Sequence, residues 1–197
     1  MNKNLYFTLF YIGFFVIIIY LRYNIRKKTL TAKRIKGKIY AKWTTKYIFY
    51  IYLLILFGSF IEYFIVERKI NLFLSITAFI LYWIGISGRQ WAFNSLGEYW
   101  SVDIEIRDDH KIIKKGPYRY MRHPNNFFHL LEVLGITLIP NSYYTSLIFI
   151  ILYFPIIILR TIIEEKVMYD VLKNKYKEYK KETMGLFPLF NKKFFRE

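Results

Sequence analysis

Long apolar runs constrain this chain more than any other feature. Five of them, at residues 5–21, 47–66, 72–86, 127–139 and 144–159, are dominated by Ile, Leu, Phe and Tyr. A helix of ~20 apolar residues crosses the ~30 Å hydrocarbon core of a bilayer while satisfying its own backbone hydrogen bonds. The second run is close to that length and the last two are shorter. Asn141-Ser142 after Pro140 predicts a tight turn, so the last two runs should form a helical hairpin. The first run has no small-residue cleavage site and ends at Arg22, which marks a retained helix rather than a signal peptide. With 55% hydrophobic and 21% aromatic residues in 197, a soluble fold is excluded. The expectation is an all-α, polytopic membrane bundle of about five transmembrane helices.

The net charge of +16 reports orientation rather than a nucleic-acid partner. Lys and Arg fall in three segments, 22–46, 89–122 and 160–196, which together hold 27 of the 30. Five passes put all three segments on one side, as the positive-inside rule requires. The N-terminus is then outside and the C-terminus in the cytoplasm, with anionic headgroups within reach of the basic face. No nucleic-acid recognition motif accompanies the charge. Cysteine is absent, so disulfides, thiolate nucleophiles and cysteine metal sites are impossible. Three histidines without a His-Glu-x-x-His pattern argue against a metal.

Along the chain, residues 1–88 read as a scaffold of three spans and residues 89–197 as the part that carries chemistry. Glu62 reads as a residue near the outer interface, and Trp43, Tyr47 and Tyr50 as an aromatic belt. Residues 89–100 are mixed in character and should lie along the interface. Residues 101–115 alternate weakly (Val102, Ile104, Ile106) and read as an extended cytoplasmic loop, short of a strand with any partner. From 164 to 182, Val167, Met168, Val171, Leu172, Tyr176 and Tyr179 recur at helical spacing. That pattern predicts an amphipathic helix, basic on its other face, lying on or folding back to the membrane surface.

Three constellations stand out. Pro124 fits the first turn of a helix and holds His123 extended before it, so free N–H groups at that terminus would suit a carboxylate flanked by Arg122 and His123. The same residues could instead anchor the helix at the interface. Arg160 and Glu164 share a helix face at the cytoplasmic end of the last span, either as a helix salt bridge or as a cation and an anion facing a ligand. Glu132 lies among Leu130, Leu131, Val133 and Leu134, so its charge must be paired, neutralised or turned to a cavity. It either lines a substrate pocket or makes a structural hydrogen bond.

Gly116-Pro117-Tyr118-Arg119-Tyr120, Arg122-His123-Pro124-Asn125, Leu134-Gly135, Asn141, Arg160-x-x-x-Glu164-Glu165 and Tyr176-x-x-Tyr179-Lys180-x-Glu182 follow one another in order. This series, over residues 90–188, resembles the isoprenylcysteine carboxyl methyltransferase family, and also membrane phospholipid methyltransferases. The resemblance implies an integral membrane enzyme, with S-adenosyl-L-methionine as methyl donor and a lipophilic or prenylated acceptor among membrane lipids. It makes His110, Lys111, Ile112 and Ile113 the loop whose backbone contacts the cofactor. Tyr118 and the turn of His123, Pro124, Asn125 and Asn126 form the cradle. Glu164 faces the amino group, and Arg160 serves the acceptor side. Asn126 stands where the family usually has Tyr, leaving the cradle without an aromatic wall there. Asp103 stands where some members have an amide.

Physical chemistry agrees with that implication. The usual signature of soluble methyltransferases, a Gly-rich turn after a strand, is missing, so any cofactor must be held otherwise. The zwitterionic tail of S-adenosyl-L-methionine needs one anion and one or two cations, which Glu164, His123 and Arg122 can supply. Transfer to an ionised oxygen needs alignment and exclusion of water more than a base. The resemblance implies O-methylation of an isoprenylcysteine-like acid or alkylpyrone-like enol, and the expected place is a bacterial or archaeal cytoplasmic membrane with the site facing the cytoplasm. The rival functions are headgroup N-methylation and an NADPH-dependent reductase of related architecture.

Overall fold

A computed structural model describes residues 5–31, 35–107 and 110–187. The basic residues beyond 187 lie outside the described residues. The elements are α1 (Leu5–Thr31), β1 (Lys38–Tyr40), α2 (Lys42–Ile65), α3 (Leu72–Leu96), β2 (Ile104–Ile106), α4 (Pro124–Leu138), α5 (Tyr143–Ile148), α6 (Phe154–Leu172) and α7 (Asn174–Glu182). The fold is a helical membrane bundle, as expected.

Among the described residues, four helical stretches are long and apolar enough to cross a bilayer: Leu5–Lys27, Lys42–Ile65, Leu72–Tyr99 and Tyr143–Leu172. The fifth expected span is different. α4 has 15 residues, about 22 Å at 1.5 Å per residue, too short for the ~30 Å core. It still passes from one end of the bundle to the other, packed chiefly on α3. Apolar run length alone could not separate a lipid-facing span from a helix enclosed by its neighbours.

Small residues permit that packing. A Cβ on Gly85 of α3 would lie 2.6 Å from the Glu132 backbone nitrogen, and one on Gly135 of α4 2.8 Å from the Cβ of Tyr82. Helices in lipid gain little from apolar contact alone, so close backbone approach is a main source of their association. α5 and α6 form one continuous helix through a π-helical turn at Phe149–Tyr153. Pro155 lies just beyond it and has no N–H to donate to the preceding turn, a usual cause of such local rewinding.

The short-loop end is closed by buried polar groups. Asn141 takes a left-handed conformation (φ 58°) in the turn between α4 and α5, as expected of the hairpin. Its side chain donates to Ser75 Oγ at 2.8 Å and accepts from the Asn71 backbone at 2.8 Å. Glu62 is more than the interfacial residue expected. It pairs with Arg68 (2.7 Å) and accepts from the Thr145 backbone N–H and hydroxyl, both at 2.7 Å. It therefore satisfies the first turn of α5, where free N–H groups need an acceptor.

At the opposite, basic end the structure corrects three expectations. Residues 101–115 do contain a paired strand: β2 runs antiparallel to β1, with Lys38 opposite Ile106 and Tyr40 opposite Ile104. Ile104 and Ile106 are buried, and Glu105 accepts from the Gly37 N–H at 2.6 Å. Three residues of alternation are too few to signal a strand without sight of the partner. Residues 89–96 continue α3 instead of lying along the interface. The helix expected over 164–182 is two helices, because Lys173 adopts φ 46° and turns the chain back. Gly85→Ala should lower the thermal stability of the detergent-solubilised protein by about 1–3 kcal/mol, since the α4 backbone must move aside; unchanged melting would show that the contact is loose.

Candidate functional site

The loop after α3, the turn before α4, the end of α6 and α7 enclose a cavity of about 130 Å³. His110, Lys111, Ile112, Ile113, Tyr118, Arg122, His123, Asn125, Asn126, Arg160 and Glu164 all line it. His110 and Glu164, 54 residues apart in sequence, therefore converge on one space. Pro124 opens α4 at its first position but is not among the lining residues. His123 precedes it at φ −123°, ψ 52°, less extended than the preference before proline predicts, because its ring is held on two carboxylates.

That ring is the hub of the site. His123 Nδ1 lies 3.6 Å from Glu164 Oε2 and Nε2 lies 3.3 Å from Glu165 Oε1. Burial disfavours the imidazolium, but hydrogen bonds and charge from Glu164 and Glu165 outweigh it, so the pKa is raised. Glu165 also receives Arg122 Nε at 2.8 Å and Lys180 Nζ at 2.7 Å. Arg122 Nη1 donates to the Thr183 carbonyl at 2.6 Å. Arg122, expected to meet a ligand carboxylate, is thus occupied in joining the turn to α6 and the C-terminal segment. Glu164 remains available: its side chain is 35% exposed and faces the cavity.

Arg160 is fixed from three sides. Its Nη1 donates to the hydroxyls of Thr44 (3.2 Å) and Thr45 (2.8 Å), and its Nη2 to the Val102 carbonyl (2.6 Å). A guanidinium has five N–H groups, so two stay uncommitted while the plane is held, and Arg160 lines the cavity. Asn126 donates to Thr161 at 3.2 Å and ties α4 to α6. The missing aromatic wall is supplied elsewhere, by Tyr99, Trp100, Tyr118, Tyr176 and Tyr179. Burial and the neighbouring Glu164 hold the Tyr118 phenol protonated, its pKa raised well above the usual value.

Among the described residues, the buried Trp100 Nε1, Asp103 Oδ1 and His110 Nδ1 on the cavity wall have no hydrogen-bond partner. Buried polar groups are normally satisfied, so unmet ones facing a cavity point to a ligand. Burial and the Arg107 charge outweigh Glu164 and lower the His110 pKa, keeping its ring neutral. Sequence reading missed Trp100, Tyr99 and Arg107, which reach the site only because β1 and β2 pair. No local pattern marks them.

Glu132 does not line this cavity. It is fully buried between Arg22 (2.8 Å) and Arg89 (2.7 Å). Arg22 also donates to Tyr52 OH at 2.8 Å and to His129 Nε2 at 3.0 Å. The structural reading of Glu132 is the one its geometry fits, with two arginines from α1 and α3 as partners that a local window could not reveal. Among the described residues, no cluster of His, Asp and Glu is arranged to hold a metal.

The raised His123 pKa fixes a pH dependence. Its protonated form is stabilised in the folded state, so the contribution is full below the unfolded pKa near 6.5 and is lost as pH rises through the raised folded value. Melting temperature should therefore fall across that window, and His123→Gln should flatten the fall. An identical profile in the variant would show that the imidazolium contributes nothing.

The family model for isoprenylcysteine carboxyl methyltransferase (ICMT) matches residues 76–170. The uncharacterized protein YpbQ of Bacillus subtilis (strain 168) is 33% identical over 123 residues, covering 54% of this chain and 73% of YpbQ. An uncharacterized protein of Haemophilus influenzae (strain ATCC 51907 / DSM 11121 / KW20 / Rd) is 35% identical over 74 residues, 37% of this chain and 43% of the relative.

Proposed function

This chain belongs to the isoprenylcysteine carboxyl methyltransferase family, and from that premise we propose an O-methyltransferase that moves a methyl group from S-adenosyl-L-methionine to a lipophilic acid or acidic enol. The protein is an integral membrane member of a methyltransferase family. The observation that carries the finer reading is Glu164, a carboxylate 35% exposed in a cavity that also holds the N-terminus of α4 and the unpartnered atoms Asp103 Oδ1 and His110 Nδ1.

Those residues fit the cofactor. Glu164 would take its ammonium group, and the first-turn N–H groups of α4 its carboxylate. Asp103 Oδ1 can accept from a nucleoside hydroxyl or amine, and neutral His110 can donate or accept at Nδ1. Aromatic walls from Tyr118, Tyr176 and Tyr179 exclude water. The cofactor supplies a sulfonium-bound methyl group: as it passes to the acceptor oxygen, an O–CH3 bond forms, the S–CH3 bond breaks and neutral S-adenosylhomocysteine leaves. No proton need move if the acceptor is already anionic, which suits a site without a base dyad. Arg160, held by Thr44, Thr45 and Val102, orients that oxygen with its remaining donors. Residues 89–197 would hold the chemistry and residues 1–88 the scaffold, with the basic end in the cytoplasm.

Two substitutions separate these roles. Glu164→Gln should weaken S-adenosylhomocysteine binding by about 10- to 100-fold in calorimetry, the worth of one charge-assisted hydrogen bond. Arg160→Ala should cut turnover of a lipophilic acid by about 100-fold or more while cofactor binding survives. Unchanged affinity in the first, or unchanged turnover in the second, removes the residue from its role. Because the chain has no cysteine, single-cysteine labelling can report the sides: Lys115→Cys should react only from the cytoplasm and Glu67→Cys only from outside. The reverse pattern would separate the site from its cofactor.

A further inference from the structure

Residues 35–47 cover β1 and the first turns of α2, and they hold four lysines and no acid. Lys36, Lys38, Lys42 and Lys46 are all exposed, and among the described residues none of them is ion-paired. Lys38 Nζ rests over the Tyr40 ring at 5.5 Å. Large apolar side chains are interleaved with these cations: Ile35, Ile39, Trp43 and Tyr47 are between 43% and 57% exposed. On α2, Lys42 and Lys46 lie one turn apart with Trp43 and Tyr47 beside them, so cations and aromatics share its outer side. Bare isoleucines among lysines fit neither water nor the hydrocarbon core. They suit the headgroup layer, where apolar bodies sink in and ammonium groups stay with phosphate. Lys42 also opens the stretch Lys42–Ile65, which is long and apolar enough to cross a bilayer, so the segment meets the membrane at that level.

The backbone of the same segment is committed to the cavity wall. The Ile35 carbonyl accepts from Arg107 Nε at 2.7 Å, the Gly37 N–H donates to Glu105 at 2.6 Å, and Lys38–Tyr40 pair with Ile104–Ile106. On the inner side of α2, Thr44 and Thr45 hold Arg160. Two strands of three residues are marginal by themselves, so whatever fixes β1 from outside also fixes β2. We propose that residues 35–47 are a docking surface for an anionic phospholipid leaflet, whose headgroups order β1 and, through it, the β2 segment on the cavity wall. A zwitterionic leaflet offers these lysines no net charge and leaves the two strands to their own hydrogen bonds.

Amide hydrogen exchange, read by mass spectrometry on full-length protein, tests this in nanodiscs of phosphatidylcholine with and without phosphatidylglycerol. Phosphatidylglycerol should slow exchange of the β1 and β2 amides by about 10-fold or more. Combining Lys36→Gln, Lys38→Gln, Lys42→Gln and Lys46→Gln should abolish that slowing. If the fourfold variant does not fold, Lys36→Gln with Lys38→Gln decides, and should reduce the slowing by about 3-fold or more. Lys175→Gln, Lys177→Gln and Lys181→Gln together remove equally exposed cations from α7 and should leave the slowing intact. Equal exchange in the two discs, slowing that survives loss of the lysines of residues 35–47, or slowing that disappears with the α7 lysines overturns the proposal. None of these readouts needs a reaction, so the docking surface stands or falls apart from methyl transfer.

Discussion

The carboxylate of Glu165 holds the basic end of this protein together. It gathers Arg122 and His123 from the turn before α4 and Lys180 from α7 onto the end of α6. Three chain segments are fixed by one acceptor, and the cavity is the space they leave between them. Breaking one partner of such a cluster costs more than an exposed ion pair contributes, because the others are left partly desolvated. The same logic recurs along the bundle. Glu62 pairs with Arg68 at the far end, and Glu132 with Arg22 and Arg89 between them. Glu132 and Glu165 are matched to arginines brought from other segments, and Glu62 reaches Thr145 of α5, which pins the helices to one another in an environment where apolar contact offers little selectivity.

This framework explains how a chain with few polar residues in its core can present a reactive site. α4 is too short to span alone, yet its enclosure lets it carry Asn125, Asn126, His129 and Glu132 without exposing them to lipid. α6 continues past the membrane and delivers Arg160 and Glu164 one turn apart. The break at Lys173 then folds α7 back, so that Tyr176 and Tyr179 close the cavity. The N-terminal half is not a passive support: Thr44 and Thr45 hold Arg160, and β1 holds the loop that carries Trp100 and Asp103.

Much of this was legible in the sequence. Apolar runs gave the helices, the Pro140-Asn141 step gave the hairpin, and the ordered motifs from Gly116 to Glu182 led to the family. Their convergence on one cavity followed from placing Pro124 at a helix start and Arg160 and Glu164 at a helix end. What was hidden depends on long-range partners. Glu132 seemed equally suited to a pocket because Arg22 lies 110 residues away. β2 was invisible because its partner strand is three residues long and precedes α2. Arg122 read as a ligand group because nothing local shows that Glu165 and the Thr183 carbonyl claim it. Local periodicity reports which face of a helix is apolar; it cannot report which distant charge will meet a polar residue there.

The central claim is transfer of a methyl group to an ionised oxygen at this cavity. The most direct test is to incubate the purified protein in liposomes with methyl-tritiated S-adenosyl-L-methionine and N-acetyl-S-farnesylcysteine, then treat the product with mild base. The account predicts label in the lipophilic product, released by base as volatile methanol as an ester requires. No transfer, or base-resistant label in phosphatidylethanolamine of the liposome, would contradict it.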